Sequence, residues 1–193
     1  PVHNVDGSFV REWLVLGPVP SKDMELDFLA DVGGEANVRP KEGDVVSRSD
    51  GTQLKWTRYR SNRDGCNLEQ VFGIQAWSVA YVYCELECPQ ELTALLLVGG
   101  GPWSAVWVNG QKVGSLSSPV NLNRGRNQLL LKSKRELESW AFDVRPVFGN
   151  WAVLHFHVRN PDGSDAKFPT IRIYERERMI VFARPATGDF EVS

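Results

Sequence analysis

A chain of 193 residues can bury one sizeable core, or one core plus an appendage. Its formal net charge of −2 and pI near 6.0 exclude the bulk basic footprint of a nucleic-acid binder or of a protein held on anionic lipid. No apolar run approaches the ~20 residues of a bilayer-spanning helix, so neither nucleic acid nor membrane is an expected partner.

Pro1-Val2-His3-Asn4 lacks both an initiator Met and a signal-peptide pattern, and reads as the start of a mature or excised segment. Glu12–Pro20 (EWLVLGPVP) is a short apolar strand stopped by Gly-Pro. Asp23–Ala30 has room for one or two helical turns. The polar, Gly- and Pro-punctuated stretch 33–50 is a long loop. Gln53–Arg60 (QLKWTRYR) alternates, and its Lys and Arg place it near a sheet edge. Tyr81–Cys88 puts Val82, Cys84, Leu86 and Cys88 on one face; Tyr81, Tyr83, Glu85 and Glu87 take the other, wetter face.

The centre of the chain, Leu95–Lys132, is a run of short strands and turns. Asn109-Gly110 between apolar residues predicts a two-residue hairpin with positive φ at both positions. The preceding tip, Gly99-Gly100-Gly101-Pro102-Trp103, presents an indole on a backbone with no helix or strand propensity. Beyond it, Trp140, Phe142 and Val144 share one strand face. Trp151–Arg159 puts Leu154 and Phe156 on one face, with His155 and His157 on the other. Asn160-Pro161-Asp162-Gly163 is a turn, and Thr170–Tyr174 and Met179–Ala183 are closing strands. Helix is expected at most in Asp23–Ala30 and Lys134–Ser139. About ten short strands with frequent turn signals predict an all-β fold, an antiparallel β-sandwich. It is read as a single domain over 1–193, with a core over about 9–163 and terminal strands or an extension over 164–193.

The three cysteines form no disulfide framework. Cys84 and Cys88 lie on one strand about 13 Å apart at ~3.3 Å per residue, too far to bridge, and read as small buried hydrophobes.

The order of these signals resembles the galactose-binding-like jelly-roll domains found beside secreted bacterial glycoside hydrolases. The resemblance rests on Trp13-Leu14-Val15-Leu16-Gly17-Pro18-Val19-Pro20, Trp56, Ala80-Tyr81-Val82, Val106-Trp107-Val108-Asn109-Gly110-Gln111-Lys112-Val113 and Leu122–Lys132 (LNRGRNQLLLK). It covers roughly Glu12 to Val144. It implies a jelly roll, a carbohydrate-binding or accessory role, and secretion or display on a bacterial cell surface. In that family the motif residues shape turns and core and do not touch sugar. The tip departs from the family, where acidic residues are common at this place.

Chemistry is sparse. There is no Gly-x-Ser-x-Gly, and Gly99-Gly100-Gly101 runs into Pro and a strand where a phosphate cradle needs a helix N-terminus. The scattered carboxylates carry no glycosidase signature. His155 and His157 on one face could reach one metal, but no third ligand is specified, and surface histidines are the plainer reading. A structural calcium is compatible with the fold class. Asp6, Asp44, Asp50 and Asp64 sit in loops without a calcium-loop pattern, so metal ligands stay unassigned, and no other cofactor is expected.

If consecutive strands run antiparallel, parity gathers the 99–103 tip, Trp77 and the Lys134-Arg135-Glu136 loop at one end of the sandwich. Trp77, Trp103, Arg135 and Glu136 would there offer ring faces beside charged hydrogen-bonding groups, the composition that reads a sugar. A second candidate is a sheet face carrying Trp77, Tyr81 and Tyr83. The bland alternative makes Trp77 a core cap, the charges solvated, and the sheet face covered.

The expected function is a non-catalytic carbohydrate-binding module. It would target a secreted polysaccharide-degrading enzyme to a polysaccharide or oligosaccharide by stacking and hydrogen bonding. The alternative is a structural or interaction sandwich that docks a catalytic domain of the same polypeptide without binding sugar. A hydrolase or lyase using scattered carboxylates stands third.

Overall fold

The structure, a computed structural model, describes residues 1–23, 25–100, 104–113, 117–136, 139–149, 154–157, 159–160, 162–164, 171–175, 178–183 and 189–192; for 100, 104, 117–118, 154–157 and 171–192 this description is of the backbone. The chain divides into two compact units, Pro1–Gly149 and Asn150–Ser193. That boundary falls before the core limit near 163 read from the sequence.

In chain order the first unit contains β1 (Val2–Asn4), β2 (Glu12–Pro20), β3 (Val45–Ser47), β4 (Gln53–Lys55), β5 (Thr57–Arg60), β6 (Cys66–Asn67), helix α1 (Leu68–Phe72), β7 (Ser78–Cys88), β8 (Leu92–Gly100), β9 (Ser104–Val108), β10 (Gln111–Lys112), β11 (Ser117–Leu122), β12 (Gly125–Arg135) and β13 (Ala141–Val147). The larger sheet runs β10-β9-β12-β7-β2-β5, with β1 also paired to β7. The smaller runs β11-β8-β13-β6. These pairings are antiparallel except that of β1 with β7. The fold is all-β, an antiparallel sandwich, as the alternating patterns predict.

The main core lies between the two sheets. β7 contributes Ala80, Val82, Cys84, Leu86 and Cys88. β8 contributes Ala94, Leu96 and Val98, and β13 contributes Phe142 and Val144. Trp13 meets Phe142 edge-on at 5.8 Å, an arrangement worth about 0.5–1.5 kcal/mol beyond burial. Cys66, Cys84 and Cys88 are free and buried. Burial pushes the Cys66 and Cys84 thiols up, so both are inert hydrophobes at neutral pH.

A second core lies on the opposite face of the larger sheet. Leu16, Val79, Tyr81, Tyr83, Trp107 and Leu130 pack there against Leu29, Val38, Val46, Leu54 and Trp56. The segment 21–56 therefore folds as a strap over this face. The long loop read over 33–50 contributes the apolar anchors Val38 and Val46. The expectation of a wetter face at Tyr81 and Tyr83 is corrected: Tyr81 is 0% and Tyr83 4% exposed.

Local differences have local causes. Asp23–Ala30 forms no α-helix; Asp23 Oδ1 accepts from the Glu25 N–H and Asp27 Oδ1 from the Leu29 N–H. Such side-chain turns compete with helical bonding, and only a 3₁₀ turn at Ala30–Val32 follows. Helix α1 was not read from the sequence, although its signals are present. Asn67 caps Glu69 and Gln70, and Gly73 ends the helix with φ 73°. Gln53–Arg60 splits into β4 and β5 at Trp56, which leaves the strand to enter the second core, and β5 is an edge strand. Lys134 and Arg135 extend β12 where a short helix was allowed for.

The second unit holds two antiparallel ribbons. β14 (Leu154–His157) pairs with β17 (Asp189–Val192), and β15 (Ile171–Glu175) pairs with β16 (Arg178–Ala183). The expected turn is present, with the Gly163 N–H donating to the Asn160 carbonyl at 2.9 Å. Among the described residues no helix is long and apolar enough to cross a membrane.

Candidate functional site

Two of the six predicted site residues, Trp77 and Glu136, lie together at one end of the larger sheet. Ser78 opens β7, opposite Pro20 on one side and Arg135 on the other. Trp77, just before it, has φ 54°, an outlier for so bulky a side chain. Its carbonyl accepts from the Ser21 N–H at 2.7 Å, which ties the start of the strap to the start of β7.

The Trp77 ring is half-buried. The exposed Lys22 Nζ lies 4.8 Å from its centroid and Lys134 Nζ 5.5 Å. Lys134 is also bonded to Glu136 at 2.9 Å. Trp77, Lys22, Lys134 and Glu136 thus form one contiguous group, an indole with two ammonium groups near its ring. The Lys22 contact, at an exposed site, is worth about 0.5–1 kcal/mol.

Arg135 belongs elsewhere. As the neighbour of Lys134 on a strand it takes the opposite face, where it is 7% exposed and donates from Nε to Glu69 Oε1 at 3.0 Å. The same oxygen accepts from the Trp140 N–H at 3.3 Å. Arg135 pins α1 to the main core.

Trp103 lies outside the described residues. Ser104, beside it, pairs with Ser133, which pairs with Ala80. β9 therefore begins at the end of the sheet that carries Trp77.

Tyr81 serves the strap. Its hydroxyl donates to Glu35 Oε1 at 2.6 Å and accepts from the Phe28 N–H at 3.2 Å. Lys132, 1% exposed, contacts the same Glu35 oxygen at 2.7 Å and donates to the Leu26 carbonyl at 2.5 Å. Burial, and next the Glu35 carboxylate, push the Tyr81 phenol up. Burial, with Glu85 beside it, pushes Tyr83 up to about 12. This polar knot is internally satisfied and clamps the strap to the sheet. No local sequence pattern marks it, because the partners lie far apart along the chain.

No protein-family model matches the chain, and no curated protein is similar to it. Among residues whose side chains are described, no three His, Cys, Asp or Glu gather to hold a metal ion. Of the chain's seven Trp, Trp13, Trp56, Trp107 and Trp140 are core.

Proposed function

We propose that the chain is a non-catalytic carbohydrate-binding module whose site is the loop end around Trp77. The observation that carries this reading is the held indole: a half-exposed ring in a strained backbone conformation, beside Lys22 and the Lys134–Glu136 pair. Strain kept in a bulky residue is a feature of binding sites. An indole face with charged hydrogen-bonding neighbours is the equipment that stacks on a pyranose and reads its hydroxyls. The resemblance to galactose-binding-like jelly rolls supports the same reading, as does the place of Trp103 in the chain. The burial of Tyr81 and Tyr83 under the strap supports the loop end over the sheet face. Attached to a polysaccharide-degrading enzyme, such a module would raise the local concentration of enzyme on its substrate.

A second reading has its own observation. Ile74, three residues before Trp77 in sequence, is 77% exposed, and an apolar side chain so exposed suits docking on a neighbouring domain.

Affinity electrophoresis in gels containing plant and algal polysaccharides separates the two. Retardation by at least one polysaccharide is expected, and Trp77→Gly should abolish it, because glycine takes φ 54° without strain and removes only the ring. Trp103→Ala should weaken it with little change in the thermal midpoint. No retardation on any polysaccharide sinks the sugar-binding reading and favours docking.

A further inference from the structure

The register of the β14–β17 ribbon brings together residues that the sequence keeps apart. Leu154 pairs with Val192, His155 with Glu191, Phe156 with Phe190 and His157 with Asp189. Directly opposed residues share a face, as do residues two apart on a strand. One face of the ribbon is therefore Leu154, Phe156, Phe190 and Val192. The other is His155, His157, Asp189 and Glu191.

Opposed Cα atoms in an antiparallel pair lie about 4.5–5.5 Å apart, and alternate residues along a strand about 6.6–6.8 Å apart. The four residues thus occupy one compact quadrilateral of backbone positions. Two imidazoles and two carboxylates form a mixed donor set that suits a divalent transition ion, whereas calcium and magnesium take all-oxygen sets. Sequence alone supplies the two histidines; the strand pairing supplies the remaining donors.

The make-up of the unit gives an independent reason for an ion. Asn150–Ser193 is small, and its described strands form two-stranded ribbons. Such ribbons are marginal by themselves. Units of this size usually need a disulfide, a metal or association with another surface. A disulfide is unavailable, because the chain's three cysteines are Cys66, Cys84 and Cys88, all in the first unit.

We propose that His155, His157, Asp189 and Glu191 form a binding site for one divalent transition-metal ion, zinc being the natural occupant, which fastens β14 to β17. The proposal is independent of sugar binding at Trp77. Ligand binding to the native state alone stabilises it, so the ion should tighten this ribbon.

The test uses the full chain, stripped with chelator and titrated with ZnCl2 by calorimetry. One Zn²⁺ per chain at micromolar Kd or tighter is expected. His155→Ala, His157→Ala, Asp189→Asn and Glu191→Gln should each weaken binding at least tenfold. His3→Gln, at the only other histidine, should leave it unchanged. The near-isosteric Asp189→Asn and Glu191→Gln guard against loss through misfolding, and circular dichroism of each variant checks its fold. Co²⁺ in place of zinc should give visible absorption bands that vanish in the His155→Ala/His157→Ala variant. Absence of saturable Zn²⁺ binding overturns the site. So does binding that survives the double histidine replacement, or that His3→Gln reduces equally.

Discussion

Asn109 donates from Nδ2 to Asn127 Oδ1 at 2.9 Å, joining the β9–β10 hairpin to the turn that opens β12. Asn109 Oδ1 in turn accepts from the Gln128 N–H at 2.9 Å. Asn127 is fully buried and has no free capacity. Its Oδ1 also accepts from the Asn123 N–H at 2.8 Å, and its Nδ2 donates to the carbonyls of Asn123 at 2.8 Å, Gly125 at 3.1 Å and Leu86 at 3.5 Å. The two motifs that looked like separate turn signals are one hydrogen-bonded unit.

Replacing Asn127 with Ala would strand several of those groups at once. An unsatisfied buried group costs about 1–3 kcal/mol, and water reaches only the turn side. The expected loss is about 3 kcal/mol, read as a lower urea midpoint at unchanged slope. A loss under about 1 kcal/mol would show that the node is not a structural keystone.

Gly110 and Gly125 make a controlled pair. Both have left-handed backbones, φ 81° and 88°. A Cβ on Gly125 would meet nothing within 4 Å, whereas one on Gly110 would lie 2.4 Å from the Ala36 carbonyl oxygen of the strap. Gly125→Ala should cost only the conformational term, about 1–2 kcal/mol. Gly110→Ala should cost clearly more and loosen the strap, seen as faster amide exchange around Ala36. Equal costs would mean that the hairpin does not bear on the strap.

These features differ in how far they could be read from sequence. Asn109-Gly110 was legible because turn chemistry is local, and the core face of Val82, Cys84, Leu86 and Cys88 because a strand has period two. The opposite face misled. Tyr81 and Tyr83 next to Glu85 and Glu87 look solvated until the strap is placed, and the strap's anchors Val38, Val46 and Trp56 are too widely spaced to show a period. At the loop end, parity puts Trp77 and the segment 134–136 at one end of the sheet, and Lys134 lies 5.5 Å from the Trp77 ring centroid. Arg135 was assigned to the same side, although alternation along β12 sends it to Glu69. Lys22 could not be found, since its contact with Trp77 depends on where the strap begins.

The buried Lys132–Glu35–Tyr81 knot predicts strong coupling. Breaking a buried pair from one side typically costs about 3–5 kcal/mol, because a charge is left unpaired. Lys132→Met should fall in this range. Lys132→Met/Glu35→Leu should cost less than the two single changes summed, since the double replacement leaves neither charge behind. A double-mutant cycle in urea measures the difference. Additive losses would show that the two groups do not stabilise each other.

Alkaline stability tests the buried tyrosines. Burial raises both Tyr81 and Tyr83 above the ordinary phenol value of about 10. A group whose folded value is raised contributes stability that is fully present below its unfolded value. That contribution is lost as pH rises toward the folded value. Above pH ~10 the unfolded chain therefore loses protons that Tyr81 and Tyr83 still hold in the native state, and stability should fall with pH. In Tyr81→Phe/Tyr83→Phe the neutral-pH stability should drop because the hydroxyl bonds to Glu35 and Phe28 are gone. Its decline above pH ~10 should nevertheless be shallower, since two proton-release sites have been removed. Urea melts across that range measure the slope, and phenolate absorbance follows ionisation directly. If Tyr81 and Tyr83 ionise near pH ~10 while the chain stays folded, the strap does not exclude solvent from them.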